Sequence, residues 1–234
     1  MNVNTPNGVH FQGGQDYQHL EAVHSHHKFS EDQKLSLLFA NLGYRVNNGT
    51  NYNMQTFGAH YTGKSDDLNY SASAYLQTGK NAGGQDKSAY MFAVNAGYKF
   101  SPIFGLTAGV DYLSGNASDD NSKDKAFDPF SGTNHKFYGF MDYYYVGFTP
   151  SPGLLNPYLT ANVRTGEKSN LSATFHYFAP AAKFETDKKH SSYGSEIDLV
   201  YNLKVQPFIG LQLGYSTYFA NDGTKALKNT PNQR

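Results

Sequence analysis

A two-residue alternation, sustained over stretches longer than an ordinary soluble strand, constrains this chain more than any other feature. In Leu68–Gly79, Leu68, Tyr70, Ala72, Ala74 and Leu76 alternate with Asn69, Ser71, Ser73, Tyr75 and Gln77. Successive strand side chains point to opposite faces, so this pattern writes one apolar face and one polar face. The same alternation returns in Tyr90, Phe92, Val94, Ala96, Tyr98 and Phe100, and in Leu159, Ala161 and Val163 opposite Thr160, Asn162 and Arg164. It continues in Ile197, Leu199, Tyr201 and Leu203 opposite Glu196, Asp198 and Lys204, and in Ile209–Phe219. A helix would need apolar residues every three to four positions, which these segments lack. The chain holds about eleven such strands, many about 11–13 residues long; soluble strands average roughly 5–6, whereas a tilted membrane strand needs about 9–11.

The connections sort into two kinds. Those after Phe29, Gly63, Phe100, Gly166 and Val205 are short, and those after Val46, Gly79, Asn116, Ala179 and Ala220 are mostly longer, with an intermediate link at 148–155 on the short side. Short turns at one end and long loops at the other are the layout of an outer-membrane barrel, with the short side periplasmic. Composition agrees: 38% hydrophobic residues and a mean hydropathy of −0.60, yet 15% aromatic, suit a thin apolar band around a polar lumen. No apolar run approaches the roughly 20 residues of a membrane helix. The expected fold is all-β, an antiparallel up-and-down transmembrane β-barrel forming a single domain over 1–234, with polar terminal loops at 1–14 and 221–234 and no helix. Leu35, Leu37 and Phe39 share one parity and Leu42, Tyr44 and Val46 the other, which predicts a bulge near Ala40 or burial on both sides.

Several function classes are disfavoured. Lys+Arg and Asp+Glu balance at 19 each, so no basic surface for nucleic acid is expected. There is no cysteine. His19, His24, His26 and His27 lack a carboxylate or cysteine at a ligating spacing, and Asp119, Asp120, Asp124 and Asp128 lack an ordered calcium-loop spacing, so no metal or cofactor is expected. The acidic stretch is expected as a solvated external loop. Glu196 and Asp198 share a strand face at a separation that suits a glycosidase pair, but no other catalytic constellation accompanies them, and the chain is not expected to be an enzyme.

The stretch Gly132–Gly147, dense in Phe and Tyr, also suits a strand, with Phe137, Gly139, Met141, Tyr143 and Tyr145 on one face and Lys136, Tyr138, Phe140, Asp142 and Tyr144 on the other. Charges on inward-facing positions set what a pore passes. The candidate lumen and selectivity residues are Lys136, Asp142, Arg164, Asp111, Glu196, Asp198, Lys204 and His60, a set roughly balanced in sign.

Tyr112-Leu113-Ser114-Gly115-Asn116, Phe127-Asp128-Pro129-Phe130 and the run Gly132–Gly147 resemble the alginate-export family of outer-membrane β-barrels, in the porin form found in Bacteroidetes. Gly194–Leu199 and Leu213–Ser216 are similar to that family's late strands. The resemblance is strongest over 68–228 and weakens before 50. It implies the C-terminal part of a larger barrel in the bacterial outer membrane. A barrel of about twelve strands lacking its last one is the alternative. The N-terminus lacks the charged and apolar regions of a signal peptide, so an exported chain of this kind is expected to be a mature form or a fragment. The resemblance implies a porin passing hydrophilic solutes, anionic oligosaccharide included, by passive diffusion. Outer-membrane lipid and lipopolysaccharide, and a small hydrophilic or polysaccharide solute, are the expected partners. The competing expectation is a structural or adhesive barrel with a plugged lumen.

Overall fold

The computed structural model describes residues 17–45, 50–120, 122–130, 137–144, 152–183 and 192–228. Ten strands run up and down: β1 (Tyr17–Lys28), β2 (Gln33–Arg45), β3 (Asn51–Ser65), β4 (Leu68–Lys80), β5 (Asp86–Ser101), β6 (Phe104–Leu113), β7 (Leu154–Gly166), β8 (Ser169–Phe178), β9 (Gly194–Gln206) and β10 (Ile209–Ala220). They form one antiparallel sheet in chain order, open between β1 and β10. The strands between β1 and β10 thus have every neighbour the ladder needs, and the two outermost present free edges.

The alternation in the sequence becomes two faces with inverted polarity. Val94 pairs with Ala72 and Val110, and Leu159 with Ala108 and Phe175, so apolar side chains form unbroken rows across the sheet. These rows are exposed: Phe92 46%, Val94 48%, Leu159 48% and Leu213 57%. The opposite face carries rows such as Thr62–Ser71–Asn95–Gly109–Tyr158–His176. A soluble protein hides the first face and wets the second. This sheet does the reverse, as a wall between lipid and a polar interior must. On the inner face Tyr75 lies over Gly58 and Tyr158 over Gly109, where a Cβ would come within 2.2 Å and 2.4 Å of the rings.

The short turns after β1, β3, β5, β7 and β9 gather at one end and the longer connections at the other, as expected. Four expectations are corrected. Between 132 and 147 the described residues Phe137–Tyr144 are turns and bends, not a strand. Their backbone enters the left-handed region three times, at Tyr138 (φ 63°), Gly139 (φ 86°) and Asp142 (φ 54°), which no extended strand can hold. β6 therefore pairs directly with β7, and the described parts of 114–153 belong to a single excursion at the long-loop end, so the link at 148–155 is not a short-side turn. β2 pairs with β3 without a bulge at Ala40, and Ala40, Leu42 and Tyr44 are buried on the inner face while Leu37 is exposed on the outer, so apolar residues on both parities are the explanation. Finally, 221–228 is not loop throughout: Asp222–Lys228 forms a helix, α1. Asn221 caps it, accepting from the Thr224 N–H (3.1 Å) while Thr224 Oγ1 accepts from the Asn221 N–H (3.1 Å).

The core of the molecule lies on the inner face at the long-loop end. Leu113, Phe127, Tyr138, Tyr144, Leu154, Phe178, Tyr193 and Leu227 pack together there, drawing on three strands, the excursion, the β8–β9 connection and α1.

The two-faced wall predicts opposite tolerances at adjacent positions. Val94→Arg should cost about 2–4 kcal/mol when the protein is refolded into lipid vesicles and titrated with urea, and Asn95→Arg well under half of that. Equal costs would show that the exposed row does not face lipid.

Candidate functional site

The inner wall is the surface with chemistry to offer. Its middle is a field of hydroxyls and amides that satisfy one another: Asn95 Nδ2 donates to Ser71 Oγ (2.7 Å), Thr160 Oγ1 bonds Thr174 Oγ1 (2.9 Å), and His60 Nδ1 bonds Ser73 Oγ (2.8 Å). Its charges separate by depth. At the short-turn end the inward parity carries Lys28, Lys34, Lys64, Lys99, Arg164 and Lys204, all exposed, with no carboxylate among them. Lys28 pairs with Glu31 (2.5 Å), and Arg164 donates to the carbonyls of Gly166 (3.1 Å) and Glu167 (3.2 Å) on its own turn. At the long-loop end the inward charges are Lys87, Asp111, Glu196 and Asp198, and all but Asp111 are buried. Sequence reasoning placed His60, Asp111, Arg164, Glu196, Asp198 and Lys204 on this parity, but counted the signs together and so missed their separation. Lys28, Lys34 and Lys64 were also missed, although each is legible as the last or first inward position beside a short turn.

The excursion after β6 turns inward and docks on this wall in two places. The first lies over β3–β5. Gln77 on β4, 2% exposed, treats the excursion as a strand: its Nε2 donates to the Asp128 carbonyl (2.7 Å) and its Oε1 accepts from the Asp128 N–H (2.8 Å). Lys87 on β5 donates to Asp124 Oδ2 (2.9 Å) and to the Ala126 carbonyl, with side-chain exposures of 4% for Lys87 and 13% for Asp124. Asn81 Nδ2 donates to the same Asp124 oxygen (2.9 Å). Burial opposes the Asp124 charge, but the ammonium of Lys87 and these hydrogen bonds outweigh it and hold the carboxyl below its ordinary value of 3.8. Asp124 was expected in a solvated loop; it is instead the polar anchor of an inward fold, and nothing in its local sequence marks it.

The second docking place lies over β8–β10. Tyr138 and Tyr144 are buried, Tyr143 stacks on Tyr218 (ring centroids 4.2 Å apart), and the Tyr144 and Tyr218 hydroxyls bond at 2.5 Å. Between them the backbone lies on Glu196 and Asp198: the Met141 N–H donates to Glu196 Oε1 (2.9 Å) and the Phe140 N–H to Asp198 Oδ2 (3.3 Å). Gly139 permits that approach, since a Cβ there would sit 2.6 Å from Glu196 Oε1. Asp142, expected deep in the lumen on a strand, is instead half-buried at a turn of this segment, and Lys136 lies outside the described residues. A polar chain continues from the pair across the sheet. His176 Nε2 is 3.6 Å from Asp198 Oδ2, His176 Nδ1 bonds Asn156 Oδ1 (3.0 Å), and Asn156 Nδ2 donates to Asp111 Oδ2 (2.9 Å). Glu196 and Asp198 are sealed beneath backbone, so no sugar reaches between them as a glycosidase would require.

The family model described as "Alginate export" covers residues 15–232, which extends the likeness through β1–β3, where motif resemblance was weakest. That family consists of outer-membrane β-barrel alginate export proteins. No curated protein matches the chain.

The anchor at Asp124 predicts a charge-dependent fold of the excursion. Lys87→Met should leave a buried carboxylate and weaken docking by on the order of 3 kcal/mol, while adding Asp124→Asn should recover most of that loss. Amide hydrogen exchange at Phe127, whose N–H donates to the Ser114 carbonyl, reads both. Because the folded carboxyl titrates below 3.8, the pair's contribution is present above that pH and is lost as the pH falls through the lower folded value.

Proposed function

The chain belongs to the alginate export family of outer-membrane β-barrels, and from that membership we propose that its sheet is the wall of an outer-membrane channel passing hydrophilic solutes, anionic oligosaccharides among them, by passive diffusion. The family is a transport family, and we assign the chain no catalysis. The observation that carries the anionic part is the collar of Lys28, Lys34, Lys64, Lys99, Arg164 and Lys204 on the inward parity. Among the described residues Lys34, Lys64, Lys99 and Lys204 make no ion pair, so their fields reach into the lumen rather than into partner carboxylates. Above the collar the hydroxyl and amide rows offer donors and acceptors at every step, the surroundings a hydrated sugar exchanges for water at little cost. The exposed apolar rows meet outer-membrane lipid, and the long-loop end meets the lipopolysaccharide side.

A second function has its own support. The aromatic core built by Phe127, Tyr138 and Tyr144 against the inner wall occupies lumen space at the long-loop end. A barrel braced and plugged this way serves as a structural or adhesive element without transport.

Reconstitution in planar bilayers separates the two, because a plugged barrel gives no stepwise conductance. For the channel, replacing Lys64, Lys99 and Lys204 together with Glu should move the reversal potential in a salt gradient from anion preference to neutrality or cation preference. An unchanged potential would remove the collar from the account of selectivity.

A further inference from the structure

The polar cluster beneath Phe137–Tyr144 holds more acceptors than hydrogens. Glu196 and Asp198 are 0% and 1% exposed. One oxygen of each accepts a backbone N–H, from Met141 and Phe140, while Glu196 Oε2 and Asp198 Oδ1 are buried with no hydrogen-bond partner. The two carboxyl groups lie within hydrogen-bonding reach of each other. The neighbours do not supply the missing hydrogen. Asn156 gives its amide hydrogen to Asp111, so its Oδ1 accepts from His176 Nδ1, and the Nε2 left facing Asp198 is an acceptor while the ring is neutral. Tyr218 on β10 pairs with Tyr144 Oη and donates to the Tyr193 carbonyl (2.6 Å), Tyr158 on β7 lies against the His176 ring, and Asp142 belongs to the segment itself. Among the described residues, His176 is the one basic side chain facing the pair.

Two ionised carboxylates in buried contact repel each other and forgo hydration; a single hydrogen between them cancels one charge and links the two groups. We propose that one proton shared between Glu196 and Asp198 latches the segment Phe137–Tyr144 to the inner wall, so that the segment's docking responds to pH. With the proton in place the pair carries one negative charge, which the Phe140 and Met141 N–H groups meet directly. As the pH rises the proton passes to solvent, and the second charge can regain water only where Gly139–Met141 now covers it. Hydration and docking then compete for the same face of Glu196, and the segment lifts. The latch stands apart from the channel proposed above, since it concerns docking whether or not the wall conducts.

Amide hydrogen exchange on the full chain in lipid tests this. Protection of Phe137–Tyr144, corrected for the intrinsic exchange rate at each pH, should fall by about tenfold or more between about pH 6 and about pH 9, while β4 and β5 stay protected. Glu196→Gln replaces the shared proton with an amide hydrogen and keeps an oxygen for the Met141 N–H. Its protection should hold within about twofold across the same range, and Asp198→Asn should behave alike if the first variant folds poorly. Wild-type protection that does not change with pH would overturn the latch. So would an equal loss of protection in the wild type and in both amide variants.

Discussion

The antiparallel ladder is what lets this chain present its apolar side chains outward. Each backbone N–H and C=O inside the sheet is bonded to a neighbouring strand, so nothing on the outer face but side chains meets the surroundings. In hydrocarbon an unpaired backbone group costs several kcal/mol, and only a structure that satisfies all of them can stand there. That requirement reaches the two edges as well. β1 and β10 each show one unpaired side, and β10 is exposed on both faces from Ile209 to Tyr215. A sheet with rows such as Val94–Val110 facing lipid is complete in a membrane only when those edges are paired too.

With the apolar rows committed to the outside, the inner wall keeps only a small apolar patch at its long-loop end, Leu113, Leu154 and Phe178 among it, and the core there is completed from outside the sheet. The excursion brings Phe127, Tyr138 and Tyr144, the β8–β9 connection brings Tyr193, and α1 brings Leu227. Each arrives with polar scaffolding, because it must settle on a polar wall: Gln77 pairs with the Asp128 backbone, Lys87 with Asp124, and the Tyr144 hydroxyl with Tyr218. The amphipathic ring of tyrosine suits this place, burying area while its hydroxyl finds a partner.

Most strands were legible because period-two patterning over a dozen residues has no other physical source; β1, weakly patterned, and β2, whose apolar residues switch parity near Ala40, show it least. The excursion was not, for a reason visible in its residues. Phe137–Tyr144 has the composition of a strand, but its positive-φ positions are Tyr138 and Asp142 as well as Gly139, and only the glycine advertises such a backbone. Long-range contacts select that conformation, Glu196 and Asp198 lying some sixty residues on, and local propensity yields to them. The α1 cap was different: Asn221-Asp-Gly-Thr224 ahead of Lys-Ala-Leu-Lys is a readable helix start, obscured by the polarity of its surroundings. Among the candidate site residues, strand parity was enough to place those on β3, β6, β7 and β9 on the inner wall. It could not tell that Glu196 and Asp198 are covered while Arg164 and Lys204 are open, because burial there depends on where the excursion lands.

That difference in cover explains why exposed cations hold one end of the wall while the carboxylates, with the buried Lys87, hold the other. Lysine and arginine at the short-turn end keep their ammonium and guanidinium groups in water, needing no partner and paying no desolvation. Glu196 and Asp198 at the long-loop end are buried and therefore depend on donors brought to them. β9 cannot furnish those donors, since its own N–H groups are spent on β8 and β10. A segment with free backbone N–H groups, bent by left-handed residues so that the N–H groups of Phe140 and Met141 both point inward, can. The turns that disqualify Phe137–Tyr144 as a membrane strand are thus what fit it to cover the acidic end of the wall, and the lumen at that end takes its shape from how firmly Glu196 and Asp198 hold it.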